Sequence, residues 1–428
     1  MMSDLKQAIE ILKTNNLFLT GGAGVGKSYT TLSIIKHYER ANKSVVKLGS
    51  TGVSAVNLGG MTIHSFFIFG IADNAEALLL QDKKNKSRIK ELKKILSLTD
   101  LLVIDEISMV SSDLMDMIGF RLQECAFSGK VLLVGDFFQL PPVVKTMQKV
   151  DIFGSSLYAF ESLSWERLEL KVMEFTTMYR TQNLQFITIL EKIRKGICDK
   201  SVVDYVLSLM SNPAPREPTY LYGRNDEANR TNVLKLAQIS TKEYKLLSIV
   251  KINDKKLHEK KLENWKKALP IEEELRLKIG ASVIFTVNKW GKYLNGQRGV
   301  IHSIEEDAII VALENEFVRV ERAEFFLSEF GVEKGEVVNV DLASLKQFPL
   351  KLAYAITIHK SQGMSIEHLV CNIDNIFTTS QFYVAISRAI NPLTLLIEFN
   401  KKRDIASHLT NIIRVDSRVA NYYNTLAR

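Results

Sequence analysis

Cysteine is scarce. Cys125, Cys198 and Cys371 stand far apart with no CxxC pair, which argues against a disulfide scaffold, a zinc site or an iron–sulfur cluster. Proline occupies 8 and glycine 22 of the 428 positions, too few for a collagen-like or proline-rich disordered chain. No apolar run reaches the roughly 18 residues that a membrane helix needs. The opening Met1-Met2-Ser3-Asp4-Leu5-Lys6 lacks the basic-then-apolar order of a secretory leader. There is no internal repeat or low-complexity stretch, which argues against a solenoid. The expectation is a soluble protein that stays where it is made, cytoplasmic and nucleoid-associated if the source is bacterial.

The composition is that of a globular chain, with 46% hydrophobic and 24% charged residues and length for two to four folding units. Lys plus Arg (56) exceeds Asp plus Glu (48) by 8, which favours an anionic partner, nucleic acid before membrane. Residues 1–180 alternate helical stretches with short apolar strands at Leu17–Thr20, Ser44–Gly49, Leu101–Ile104 and Val131–Gly135. Each strand runs into a Gly-rich or acidic turn, the pattern of a parallel α/β sheet with its site at the strand C-ends. A basic stretch at Lys83–Lys94, seven Lys or Arg against one Glu, reads as a solvated helix face. A Pro-rich connector follows at Ser211–Pro218, then a Lys-rich stretch, 251–267, helical in pattern. From Leu275 to about Val340 the texture becomes β-like, with runs at Ala281–Val287, Gly299–Ile304, Ala308–Leu313 and Phe317–Val320. That suggests a small barrel inserted into a second α/β domain, which resumes at Phe348.

Gly21-Gly22-Ala23-Gly24-Val25-Gly26-Lys27-Ser28 fits G-x-x-x-x-G-K-[ST] between a strand and a helix. Its glycines let backbone N–H groups wrap a phosphate, Lys27 reaches the β/γ oxygens, and Ser28 can ligate Mg²⁺. Leu101–Glu106 is an apolar strand ending in two carboxylates. Asp105 is placed to hold Mg²⁺ through water, and Glu106 to orient and deprotonate the attacking water, which makes a hydrolase rather than a switch. A guanine-reading Asn-Lys-x-Asp is missing, since the nearest match, Asn288-Lys289-Trp290-Gly291, lacks the Asp. Val134–Pro142 carries a third strand into a polar turn where Gln139 can sense a γ-phosphate. Arg180, and Arg388 on a predicted helix, can bring positive charge to the transferring phosphoryl group. Each arginine alone also fits a surface ion pair.

In their order these segments resemble the superfamily 1 helicases, and within them the Pif-type and RecD-like 5′-to-3′ DNA helicases. The resemblance runs from Leu17 to about Pro392. It rests on Gly21–Ser28, on Thr51-Gly52-Val53-Ser54-Ala55 with Thr62-Ile63-His64-Ser65-Phe66, and on Asp105-Glu106-Ile107-Ser108-Met109. Gly135–Pro142, His359-Lys360-Ser361-Gln362-Gly363 and Ala385-Ile386-Ser387-Arg388-Ala389 complete it. The resemblance implies two tandem RecA-like parallel-sheet motor domains, 1–170 and 171–274 with 348–428. A wedge insertion at about 68–97 and an SH3-like β-barrel insertion at 275–347 would complete the chain. ATP and Mg²⁺ are the implied ligands. Gln7 would read adenine, with Gly22, Ala23, Gly24, Val25, Gly26, Lys27, Ser28, Tyr29 and Gly363 around the nucleotide and Ser28 and Asp105 on the metal. Lys27, Asp105, Glu106, Gln139, Arg180 and Arg388 would be catalytic. Arg180-Thr181 departs from the family's Arg-Gln.

Thr51, Gly52, Thr62, His64, Ser65, Phe66, Pro141, Asn295, Thr357, His359, Lys360 and Ser361 would lie along single-stranded DNA, with Phe66 stacking on bases. The implied partners are single strands and single-strand/duplex junctions, bound without sequence preference by a monomeric motor in repair, recombination or replication. A translocase that displaces bound proteins and unwinds little is the alternative.

Overall fold

The computed structural model describes residues 2–70, 72, 75–142, 156–289, 291–314, 316–401 and 404–426. Three positions of the expected wedge range, 71, 73 and 74, and Trp290 lie outside them. Six strands form the first sheet: β1 (Leu17–Gly21), β2 (Val45–Gly49), β3 (Met61–Thr62), β4 (Leu101–Asp105), β5 (Lys130–Val134) and β6 (Lys171–Phe175). Their order is β3-β2-β4-β5-β1-β6 and every pairing is parallel. Successive side chains alternate between two cores. Phe18, Leu102, Ile104 and Leu133 enter one, while Leu17, Leu19, Leu101, Val103 and Leu132 enter the other. Burial on both faces is why these strands read as unbroken apolar runs. The register pairs Leu19 with Val134 and Gly49 with Asp105, so the turns after β1, β4 and β5 open on one edge.

A second sheet begins with β7 (Thr219–Tyr222). The chain then leaves it for β8 (Glu243–Leu247), β9 (Ile249–Ile252), β10 (Glu274–Lys278), β11 (Ser282–Phe285) and β12 (Arg298–Ile304). β13 (Ala308–Ala312), β14 (Phe317–Glu321), β15 (Ala323–Glu333), β16 (Glu336–Gln347) and β17 (Leu350–Leu352) follow. It returns as β18 (Ala355–Thr357), β19 (Leu369–Asn372) and β20 (Leu395–Glu398), giving the parallel order β18-β7-β19-β20.

Three expectations need correction here. The strand pairing runs past the 275–347 boundaries: β8 pairs with β10, β9 with β16, and β17 with β11. The inserted strands form a five-stranded sheet, β14-β13-β12-β11-β17, a three-stranded one, β15-β16-β9, and the β10-β8 pair, with no single closed ring among the described residues. Residues 251–252 belong to β9, and the helix expected over 251–267 is confined to Glu259–Ala268. The β15–β16 hairpin turns through Lys334 and Gly335, both with positive φ, a two-residue turn that suits the right-handed strand twist.

The basic stretch does form a helix, Lys86–Ser97, but with one face in the core through Ile89, Leu92, Ile95 and Leu96. At the other end of the chain, the helix Ile405–Ile412 packs on the second sheet's core, while Ser417–Leu426 crosses back to the first. There Tyr422 stacks on Phe160 at 4.3 Å and Tyr423 on Phe138 at 4.5 Å.

Candidate active site between two parallel sheets

The phosphate loop leaves β1 through glycines whose conformations other residues resist. Gly21, Gly24 and Gly26 have φ of 137°, 79° and 90°, and a Cβ on Gly21 would lie 2.3 Å from the Phe175 carbonyl oxygen. The helix Lys27–Arg40 starts immediately after, with Gly26 as its N-cap. Lys27 Nζ donates to the loop carbonyls of Gly21 at 2.6 Å and Gly22 at 2.7 Å. Burial pushes this ammonium below its usual range, against the pull of Asp136 and Glu106. Ser28 and Tyr29 face solvent at the helix start, and Gln7 is exposed on the helix Met2–Leu12.

Asp105 ends β4, and its Oδ1 accepts from the Glu106 backbone N–H at 2.9 Å. Glu106 takes the left-handed conformation, φ 55° and ψ 48°, and its carbonyl accepts from Ser50 Oγ at 2.9 Å. A non-glycine residue held there stores strain of about 1–2 kcal/mol, a common mark of functional turns. Burial first, and their mutual repulsion or that of Asp136, raise both carboxyls above the usual range, while Lys27 opposes the rise.

Beyond the first sheet the chain supplies cations over this loop. Tyr179 N donates to Gly24 O at 2.9 Å, and a Cβ on Gly24 would sit 2.7 Å from Arg180 Cβ. Arg180 donates from Nε to Ser365 Oγ (2.8 Å) and from Nη1 to the Ser387 carbonyl (2.6 Å). Arg388 is 2% exposed and bonds the Val384 carbonyl and Ser387 Oγ. It lies past the end of the helix Gln381–Ile386 rather than on it. Among the described residues neither arginine has a carboxylate within ion-pair distance, so the surface ion-pair reading does not hold. Burial draws both guanidiniums below their usual range, with Arg388 repelling Arg180 and Glu106 steadying Arg388.

Gln139, 6% exposed, points its Nε2 at Asp136 Oδ2, 3.3 Å away. Asp136 in turn pairs with Arg194, a residue the sequence patterns did not single out. Tyr383, equally unforeseen as a site residue, accepts from the phosphate-loop amide of Ala23 at 2.8 Å through its buried hydroxyl. Gln362 donates to Glu106 Oε2 at 3.1 Å. For Tyr383 and Gln362 the signal was their place inside the late motifs. Arg194 had only its position on the buried stripe of the helix Leu184–Arg194.

The residues expected along DNA divide. Thr51 caps the helix Gly52–Leu58, accepting from Ser54 N, and Thr62 caps Ile63–Phe66. His64 and Ser65 are exposed, and Pro141 is half-buried. His359 is half-buried and Lys360 exposed on the loop after β18. Asn295 sits in a turn whose next residue, Gly296, packs on Ser365, and Gly363 turns with φ 79° in open space. Gly52 packs so closely on Ala268 that a Cβ would lie 2.2 Å from it. Phe66 is a correction. It is 4% exposed, edge-on to Phe330 of β15 at 5.6 Å, and is a core residue rather than a stacking platform. Ser361 and Thr357 are corrected likewise. Ser361 is fully buried and donates to the Ile358 carbonyl at 2.7 Å, and Thr357 Oγ1 accepts from Lys360 N, because short hydroxyls satisfy turn backbone.

Comparison with known proteins agrees with this architecture. A family profile described as PIF1-like helicase matches residues 2–204. The ATP-dependent DNA helicase Pif1 of Campylobacter jejuni is 45% identical, covering 97% of this chain and 95% of that protein. Bacteroides sp Pif1 in complex with ADP-AlF4 superposes with a TM-score of 0.82 at 27% identity, covering 99% of this chain and 96% of that one. The Bacteroides Pif1 structure bound to ssDNA gives 0.65 at 26% identity over the same shares. With nearly full-length similarity in sequence and a shared α/β fold, the chain belongs to the PIF1-like helicase family.

Proposed function

We propose that this ATP-dependent DNA helicase tracks single-stranded DNA in the 5′-to-3′ direction and separates duplex ahead of it, in DNA repair, recombination or replication. One observation carries the reading: half-buried Arg180 and buried Arg388, neither with a carboxylate partner among the described residues, lie beside a phosphate loop and an Asp-Glu pair that belong to the other sheet. An incoming γ-phosphate would supply the missing anion and draw the two halves together, and hydrolysis would release them. In this reading Lys27 and the loop amides bind the phosphates, Glu106 takes the proton of the attacking water, and Gln139 senses the γ-phosphate. Gln7 and Tyr29 flank the nucleotide. Mg²⁺ fits the donors present. Ser28 is exposed at the helix start, and Asp105 Oδ2 takes no protein donor among the described residues. When bound, the ion would neutralise charge on the phosphate oxygens.

Exposed His64, Ser65 and Lys360 and half-buried Asn295 and His359 would make the DNA contacts. These reach backbone and sugar, so binding would be sequence-tolerant and would weaken with salt as counterions are released. The domain limits proposed are 1–170 for the first motor domain, with its wedge at about 68–97, and a second motor domain around the inserted β-sheets. The working unit is a monomer. No helix among the described residues is long and apolar enough to cross a membrane, in keeping with a cytoplasmic, nucleoid-associated role.

The test is strand displacement, with ATP and Mg²⁺, on two partial duplexes that carry a 5′ or a 3′ single-stranded tail. Unwinding of the 5′-tailed substrate alone supports the proposal, and unwinding of the 3′-tailed one alone overturns its direction. DNA-stimulated hydrolysis with no unwinding of either would make the protein a translocase. Glu106→Gln is expected to retain ATP affinity and lose turnover, and normal hydrolysis in that variant would remove Glu106 from its role.

A further inference from the structure

Gln362 stands between two parts of the machinery. It follows His359, Lys360 and Ser361 on the loop after β18, and it hydrogen-bonds the Glu106 carboxylate at the end of β4 across 256 positions of sequence. Among the described residues no other side chain hydrogen-bonds that carboxylate. The Glu106 backbone is fixed by its left-handed turn and by Ser50, but these leave the side chain free to rotate. A carboxylate that must face an attacking water needs a donor to hold its plane, and an uncharged amide does so without neutralising it. The loop carrying Gln362 is a rigid unit. Ser361 N donates to Thr357 O (3.0 Å), Met364 N to Ser361 O (2.9 Å), and Ser361 Oγ to Ile358 O (2.7 Å). Pressure on the accessible His359 or Lys360 therefore reaches Gln362 rather than being lost in the loop.

We propose that Gln362 is the positioning residue through which a DNA strand seated on His359 and Lys360 sets the Glu106 carboxylate for hydrolysis. This rests on the reading of Glu106 as base and of His359 and Lys360 as part of the strand path. It adds the physical link between the two. The link needs no large motion, because a 1 Å misplacement of a catalytic group is enough to cost about 10²-fold in rate.

The experiment uses the full chain with ATP and oligothymidylate. Gln362→Met keeps length and removes the donor, and Gln362→Ala removes the side chain. Steady-state ATPase is measured with and without saturating oligothymidylate, alongside the KM for ATP and the Kd for the oligonucleotide. The expected result in both variants is a kcat with DNA lowered about 10-fold or more, with KM and Kd within about twofold of wild type. A wild-type stimulation ratio in Gln362→Met overturns the proposal. So does a parallel loss of DNA or ATP affinity, the mark of a merely structural side chain. Glu106→Gln, run beside them, separates the two levels. Intact hydrolysis there defeats the reading of Glu106, whereas a dead Glu106→Gln with fully stimulated Gln362→Met defeats this inference alone.

Discussion

Replacing Arg194 by methionine would remove a cation that is 3% exposed and strand a carboxylate that is 1% exposed. Arg194 grips Asp136 with two bonds, Nη2 to Oδ1 at 3.0 Å and Nε to Oδ2 at 3.2 Å, and its guanidinium lies 4.9 Å from the Phe138 ring centre and 5.7 Å from that of Tyr423. Its further pairs with Glu174 and Glu191 involve carboxylates 42% and 39% exposed, which contribute about 0–1 kcal/mol each. The cost is therefore set by Asp136, left with the Phe138 N–H (3.2 Å), Gln139 Nε2 (3.3 Å) and the more distant Tyr423 hydroxyl (3.5 Å). Breaking a buried pair in this way costs about 3–5 kcal/mol. The measurement is urea unfolding of Arg194→Met followed by Trp165 fluorescence, since Trp165 lies 5.5 Å from Phe137 in the cluster beside Asp136. Adding Asp136→Asn removes the stranded charge and keeps an acceptor for the Phe138 amide, so the double variant is expected to regain about 2 kcal/mol. A single variant within about 1 kcal/mol of wild type, or a double variant as unstable as the single one, would show that the Arg194–Asp136 pair does not set the cost.

Arg388→Ala is expected to lower DNA-stimulated turnover by about 10³-fold, in line with the loss of an arginine finger, and an unchanged ATPase rate would take Arg388 out of the site. Glu106→Asn places a residue that tolerates the left-handed region at φ 55° and is expected to raise the free energy of unfolding, and with it the denaturation midpoint, by about 1 kcal/mol in ΔG while abolishing turnover. A lower midpoint would show that Glu106 is not strained. Lys351 is held down to about 8 by burial, with Lys360 repelling it. It stands close enough to Lys360, a proposed strand contact, for a seated phosphate to feel its charge too, so single-strand affinity at fixed salt is expected to fall as pH rises from 7 to 9, by titration of roughly one contact. Lys351→Met should flatten that fall, and an equally steep profile in the variant would exclude the lysine. In the free protein the same depressed value means that the unfolded chain binds more protons between pH 8 and 10, so the contribution of Lys351 to stability rises with pH there.

The strands of the first sheet were legible because burial on both faces leaves no polar residue to interrupt Leu101–Ile104 or Val131–Val134. The phosphate loop was legible because only glycine suits its turns. The β15–β16 hairpin was not. Its strands carry Glu324, Glu329 and Asp341 among the apolar positions, and its third strand, β9, lies about 70 residues upstream of the hairpin at Ile249–Ile252. Motif position gave residue type but not direction. Phe66 and Ser361 sit where expected in the chain, yet Phe66 faces the core beneath Phe330 and Ser361 bonds its own turn. Arg194 and Tyr423 belong to contacts between remote segments, Arg194 with Asp136 and Tyr423 with Thr20, which no local pattern encodes.

The helix Ser417–Leu426 has a consequence for the order in which the protein can be made. Its Val419, Tyr422 and Tyr423, with Val415 just before it, complete a core otherwise built from residues 18 to 170, together with Phe330, Val332 and Val337 of the insertion. Some 240 residues of chain separate the end of β6 from Val419, which is roughly 10–50 s of ribosome time at about 5–20 residues per second. Throughout that interval Phe137, Phe160 and Trp165 emerge without their final lid. Ribosome-stalled chains ending before residue 417 should bind a hydrophobic dye that full-length chains exclude, and equal binding by both would argue against this. The nucleotide-binding half of the motor would then be translated ahead of the second sheet and yet be among the last parts to become fully sealed, which leaves a window for chaperones.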